Sequence, residues 1–408
     1  MDLKKKRWLV LGASLLINIC IGSGYAWSVF AGPLIQEFGW TAAATALTFT
    51  IANGISPVTM ITGGKLQDKY GPKWVIFVGG LLFGGGLLIS SFATSLAWLY
   101  VGYGLIAGFG MGLVYSCTIA NTVKFFPDKR GLVAGLATAG YGSGAVVFAP
   151  IAQNIIAGHG VLFAFKSLGI AYLIIIVVGS QFITRAPAGY VPEGWTPPAP
   201  TPTGNTGQDK VWHETLRSPL FYLLLIMLTF GTTAGLMIIS QASSVAQEVV
   251  GSTAERAAFA VSAIGISNML GRVVWGWISD RFGRYNVLPL VYIVSGLAMF
   301  ALSTLKAGGF GLFVISAMGV GFCFGGFMGI FPALTADAFG PKNNGVNYGF
   351  MFTGFALGGY IGPMMAASIK TANNGDYSMA FLLAAAMSVA GIILTFVTRA
   401  FNKKYGLK

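Results

Sequence analysis

Apolar stretches of roughly 17 to 25 residues, each long enough as a helix to cross a hydrocarbon core of about 30 Å, recur from one end of the sequence to the other. With 55% hydrophobic and 9% charged residues in 408, and a mean hydropathy of +0.73, too few polar side chains exist to coat a water-soluble globule. The solvent is lipid, and nothing the size of a soluble domain is left over. The first stretch follows Lys4, Lys5, Lys6 and Arg7. It is too long for a signal-peptide core and lacks a small-residue cleavage site, so a retained first helix is expected.

The net charge of +13 does not read as a nucleic-acid footprint, because the basic residues stand in short runs between apolar segments rather than on one soluble face. Cys20, Cys117 and Cys323 fall inside apolar stretches and behave there as small hydrophobes. Hydropathy and turn residues predict helices over 8–30, 41–64, 73–91, 96–123, 131–156 and 161–183, then over 219–248, 254–279, 288–305, 308–337, 345–370 and 378–400. The fold class is an all-α membrane protein of twelve transmembrane helices. The expected division is a first six-helix bundle over 1–184, a linker over 185–218 and a second six-helix bundle over 219–408. The Pro- and Gly-rich stretch from Pro187 to Gly207 favours an extended, solvated linker.

If the helices alternate in direction, the basic clusters fall on one side. These are the N-terminus, Lys65/Lys69/Lys73, Lys124/Lys129/Arg130, the linker, Arg281/Arg284, Lys342 and Lys403/Lys404/Lys408. By the positive-inside rule that side is cytoplasmic, with both termini there, in a plasma (inner) membrane. The halves also echo each other. Gly64-Lys65-Leu66-Gln67-Asp68-Lys69-Tyr70-Gly71 is repeated in kind by Gly276-Trp277-Ile278-Ser279-Asp280-Arg281-Phe282-Gly283-Arg284, about 212 residues later. Lys129-Arg130-Gly131 is matched by Lys342-Asn343-Asn344-Gly345 at nearly the same offset. Two landmarks with one spacing argue for a duplicated, pseudo-symmetric six-helix unit.

The Gly-x-x-x-Asp-Arg-x-Gly-Arg element has a physical reading as a conformational latch. An aspartate at a helix end accepts from neighbouring helix N-termini, and the glycines permit tight turning. Asp68, Asp280, Arg281, Lys129 and Arg130 are the candidate latch residues. The pattern resembles the loop signature of the major facilitator superfamily, and the likeness in layout covers essentially the whole chain, implying that fold. A narrower likeness lies in Phe125-Phe126-Pro127-Asp128-Lys129-Arg130-Gly131-Leu132-Val133-Ala134-Gly135-Leu136-Ala137-Thr138-Ala139-Gly140, which resembles the helix 4 to 5 signature of monocarboxylate porters and of the related oxalate/formate antiporters. Gly22-Ser23-Gly24-Tyr25-Ala26-Trp27 is a looser match to the helix 1 signature of that group.

One charge stands within the membrane. Arg272 precedes Asp280 by eight residues on the eighth helix, which at about 1.5 Å per residue places it roughly 12 Å deep. That position costs at least about 2.5 to 3.5 kcal/mol, so a partner or a wet cavity must offset it. Asp68, Asp128, Asp280 and Asp337 all lie at the cytoplasmic boundary, and no acidic residue is expected at comparable depth. A bound carboxylate supplies the counter-ion, because a planar guanidinium grips two carboxylate oxygens. The family resemblance implies the same role, since an arginine on helix 8 of monocarboxylate porters binds the substrate carboxylate. An aspartate linked to proton coupling commonly lies one turn before it. Here that position is Asn268. Where the resemblance places a second cation on helix 11 of the antiporters, this chain has Phe355, so charge balance favours a monoanion over oxalate.

Further cavity walls are expected from Tyr25, Tyr115, Tyr141, Gln241, Phe327 and Phe331. His159 and His213 are read as solvated, and no catalytic residue, cofactor or metal is expected. The function predicted is alternating-access transport of small monocarboxylates, L-lactate- or pyruvate-like, with Arg272 binding the carboxylate and a proton as coupled partner. Organic anion exchange is the alternative. A membrane enzyme would need His, Asp, Glu or Cys clusters at depth, and a non-transporting sensor would usually carry a soluble output domain; the sequence supplies neither. The expected partners are thus a small organic anion, H+ and membrane lipid, with no nucleic acid.

Overall fold

The computed structural model describes residues 3–126, 130–187, 190, 192, 210–340 and 343–404. Among these, twelve helices are long and apolar enough to span a membrane. The first six are α1 (Leu3–Phe38), α2 (Ala42–Gln67), α3 (Pro72–Ser90), α4 (Leu96–Phe125), α5 (Gly135–His159) and α6 (Val161–Phe182). The second six are α7 (Pro219–Val249), α8 (Ala254–Phe282), α9 (Arg284–Ser303), α10 (Phe310–Phe339), α11 (Val346–Ala372) and α12 (Ser378–Ala400). Most of the stretch Pro187–Gly207, with Asp128, Lys129 and Lys342, lies outside the described residues.

Each expected span meets one observed helix, and the largest difference is at α1, which starts before residue 8 and continues to Phe38. Hydropathy marks where lipid lies, not where backbone hydrogen bonding stops: Lys4 to Arg7 are already helical, and Pro33 is accommodated within the outer part. The duplication is visible in the details. Thr41 and Thr253, about 212 residues apart, cap α2 and α8, each side-chain oxygen accepting a backbone N–H from three residues on, at 3.2 and 3.3 Å. Gly71 and Gly283 end the same two helices with φ of +83° and +87°, a conformation that favours glycine.

The spans differ in burial. α7 is the most enclosed, at 78%, while α6 and α12 are the least, at 39% and 33%, which puts α7 at the centre and those two against lipid. The halves meet through α1, α2 and α5 on one side and α7, α8 and α11 on the other. Away from the basic face, the polar contacts across the seam among the described residues are between uncharged groups. Thr50 Oγ1 donates to Gly359 O at 3.2 Å, from α2 to α11. The corresponding crossing, α8 on α5, brings Ser262 Oγ to Val146 O and Ala145 O at 3.3 and 3.4 Å, shared with Ala258 O of its own helix at 3.1 Å. Toward the basic face, Gly349 of α11 lies against Ile61 of α2.

Four helices on this seam are interrupted. α1 tightens into a 3-10 turn over Gly22–Ala26, α2 breaks at Ile55, α5 at Ser143 and α11 at Phe352. α8 runs unbroken over Ala254–Phe282. Behind it the backbones of α8 and α10 nearly touch: a Cβ at Gly325 would fall 2.1 Å from Asn268 O, and one at Gly329 2.6 Å from Arg272 O. That glycine row packs directly against the backbone of Asn268 and Arg272 on α8.

Candidate functional site

A cavity lies at the level of the helix breaks, enclosed by both halves. Its polar wall is Arg272 of α8 with Tyr25, Tyr115 and Tyr141 of α1, α4 and α5. Met60, Met328, Phe352 and Phe355 line the same space, with Ser56 and Met111. The cavity leaves about 20 Å³ for the centre of a water molecule, room for one or two waters. A ligand of several heavy atoms enters only when the halves or the breaks yield.

Arg272 is 4% exposed, and the hydroxyls of Tyr115 and Tyr25 lie beside it. Its Nε donates to Asn268 Oδ1 at 3.4 Å, one helical turn earlier. That bond fixes the amide's orientation, since the oxygen must face the donor. Two donors are then left over: Arg272 Nη1 and Asn268 Nδ2 are both buried without a hydrogen-bond partner. No aspartate, glutamate or histidine lines the cavity among the described residues. Gly142, just before the α5 break, makes room for the arginine, since a Cβ there would sit 3.3 Å from Nε.

The aromatic members are locked by one another. Tyr141 stands edge-on to Tyr25, with ring centroids 4.9 Å apart and planes at 85°, and 4.8 Å from Tyr115. Phe355 stacks on Phe352 at 4.5 Å and 18°. Away from the arginine and the tyrosines the lining is therefore largely apolar and polarisable, with three thioethers and two rings. Asn268 and Tyr25 also border a smaller cavity with Ala145, Ile239, Val261 and Ile264, on the side away from the basic face.

Of the residues expected at the site, the structure gathers Arg272, Asn268, Tyr25, Tyr115, Tyr141 and Phe355, and sets three apart. Phe327 packs on Tyr292, with centroids 4.7 Å apart, and against Gly231, inside the second half. Phe331, one turn on, shares that face with it. Met328, rotated by about 100° from Phe327, faces the cavity instead. Gln241 accepts from the Tyr377 hydroxyl at 3.3 Å, and Tyr377 in turn packs on Lys370, the partner of Glu248, near the ends of α7 and α11. His159 and His213 are exposed, His159 stacked on Phe163 and His213 tilted against Trp212.

The latch in the second half is built differently from the expectation. Asp280 accepts from Arg284 Nη1 at 2.9 Å, and the same guanidinium reaches Asp337 through Nε, tying the end of α8 to the end of α10 within one half. The left-handed turn at Gly283 folds the chain back so that Arg284, rather than a helix N-terminus, meets the carboxylate. Arg281 instead lies over the Trp277 ring at 5.8 Å. Lys129 and the side chains of Asp68 and Arg130 lie outside the described residues. Sequence reading missed Arg284, Gly142, Ser56, Phe352 and the three methionines. Phe352 was findable at i−3 from Phe355, and Met111 at i−4 from Tyr115.

Comparison with known proteins places this geometry in context. The family model described as Major Facilitator Superfamily matches residues 13–363 and 244–406. An oxalate:formate antiporter of Oxalobacter formigenes is 30% identical over 394 residues, covering 96% of this chain and 91% of its own. Monocarboxylate transporter 12 of Xenopus laevis is 26% identical over 418 residues, covering 97% and 89%. Among solved structures, a bacterial homolog of the human lysosomal transporter Spinster, inward-facing and unoccupied, superposes with a TM-score of 0.66 at 15% identity, covering 97% of this chain and 96% of that one.

Proposed function

The chain belongs to the major facilitator superfamily, and on that premise we propose that it is a secondary transporter of small monocarboxylates, L-lactate- or pyruvate-like, in which Arg272 grips the carboxylate at the centre of an alternating-access cycle. One observation carries the reading: a guanidinium 4% exposed, with Nη1 unpartnered, in a cavity lined by no acidic side chain among the described residues. Burying a cation without a counter-charge costs several kcal/mol, and a carboxylate offsets that while adding two charge-assisted hydrogen bonds. The Met and Phe wall suits the apolar remainder of a monoanion, and Phe355 supplies no second cation for a dianion. Residues 1–184 and 219–408 are the halves that reorient, 185–218 the linker, and the basic face is cytoplasmic, in the plasma (inner) membrane.

Coupling to a proton remains our first reading, supported by the likeness to monocarboxylate transporters. Asn268 cannot take a proton, so in this reading the proton is taken up at another group while Arg272 holds the substrate's carboxylate ionised. Exchange of one organic anion for another is the second reading, and the same Asn268 favours it: a carrier that must close over Arg272 closes more readily with an anion bound. Uptake of labelled L-lactate into proteoliposomes, with and without an inward proton gradient, tests both. Gradient-stimulated uptake lost in Arg272→Ala supports symport; uptake that needs a preloaded carboxylate supports exchange; undiminished uptake in Arg272→Ala refutes the anchor.

A further inference from the structure

Tyr141 spends its hydroxyl proton on a poor acceptor. Its Oη donates to Met111 Sδ at 3.3 Å, and a thioether accepts only weakly. The ring cannot readily turn away, clamped as it is edge-on to Tyr25 and against Tyr115. It also stands next to Gly142, the residue that abuts Arg272 Nε. Phenol and guanidinium thus look into one cavity from adjoining helices, and Met111 lines the same space. A carboxylate seated on Arg272 presents its α-carbon next, so whatever that carbon bears is the group within reach of the neighbouring wall.

We infer that Tyr141 reads an α-oxygen on the substrate. A 2-oxo or 2-hydroxy monocarboxylate takes the hydroxyl proton from Met111, exchanging an O–H···S bond for an O–H···O bond, while the thioether falls back to an apolar contact. An acid of equal length without the oxygen leaves the hydroxyl on sulfur and gains nothing. The selectivity comes from a donor held in reserve on a weak partner, which costs little when the wrong acid binds and is repaid by the right one. This rests on the carboxylate reading of the Arg272 cavity.

The test compares labelled pyruvate with labelled propionate, which lacks the α-oxygen, in proteoliposomes containing wild type, Tyr141→Phe or Met111→Leu. Wild type favours pyruvate. Tyr141→Phe lowers the pyruvate-to-propionate ratio of Vmax/KM about 3- to 10-fold, the worth of one hydrogen bond, by reducing pyruvate alone. Met111→Leu raises the ratio, because the hydroxyl then has no acceptor unless the α-oxygen is there, and propionate falls. A structural role for Tyr141 would move both acids together. An unchanged ratio in Tyr141→Phe, with both acids carried, overturns the assignment and leaves the Arg272 anchor standing; a wild type that carries neither acid in an Arg272-dependent way overturns both.

Discussion

Replacing Asn268 by aspartate changes one atom of the site and most of its electrostatics. Asn268 Oδ1 lies 3.4 Å from Arg272 Nε, so a carboxylate in the same place forms an ion pair inside the helix turn. At an effective dielectric constant near 20, the attraction at that separation is about 4 to 5 kcal/mol. Desolvation of the new charge takes back part of it. A net competition of about 1.4 to 3 kcal/mol translates into a substrate KM raised roughly 10- to 100-fold at neutral pH. Two ionised carboxylates cannot both be neutralised by one guanidinium, so substrate binds with uptake of a proton. By linkage, affinity then improves by up to about tenfold for each unit the pH falls, until the wild-type value is regained. The assay is labelled pyruvate counterflow at pH 7.5, 6.5 and 5.5, with Asn268→Leu as a control that removes the amide without adding charge. Wild-type KM in Asn268→Asp, flat with pH, would falsify the claim that Arg272 is the carboxylate's partner.

Two further changes probe the walls of the cavity and the packing behind it. Phe355→Lys places a second cation in the cavity that Arg272 lines, so monocarboxylate uptake should fall at least about tenfold while competition by oxalate appears; competition profiles identical to wild type would mean that residue 355 does not face the ligand. Gly325→Val drives a side chain into Asn268 O on the neighbouring helix and should cost about 1 to 3 kcal/mol of stability, read as a lower unfolding temperature in detergent together with lost transport. An unshifted melting curve would show that α8 and α10 are not in backbone contact there.

Much of this was legible before the fold was known, because lipid imposes a strict grammar. A run of apolar residues can only be a helix there, and an arginine in the middle of one can only be explained by what surrounds it, which is why Arg272 stood out. Phe327 and Phe331 misled because an aromatic residue in an apolar helix carries no mark of phase: one step along α10, to Met328, separates the interior of a half from the cavity between halves. Met60 and Met328 were invisible for the opposite reason, since methionine in such a helix reads as filler, and Met111 could be reached only through its i−4 spacing from Tyr115. The breaks in α1 and α5 had glycine signals at Gly22, Gly24, Gly142 and Gly144. The break at Phe352 lies between Gly349 and Gly354, a weaker glycine signal than the flanking pair in α5. The ion pair of Asp280 with Arg284 was hidden in plain view, four residues apart but joined only by the turn at Gly283.

The seam on the far side from the basic face is held by hydroxyls on carbonyl oxygens, Thr50 on Gly359 and Ser262 near Val146 and Ala145, and by no ion pair between halves among the described residues. Dissolved ions screen charges but leave neutral dipoles in short contact almost untouched. The closing of that face is therefore indifferent to the salinity of the medium it confronts. The opposite face, where Asp280, Arg284 and Asp337 meet, carries solvent-exposed ion pairs that dissolved salt weakens.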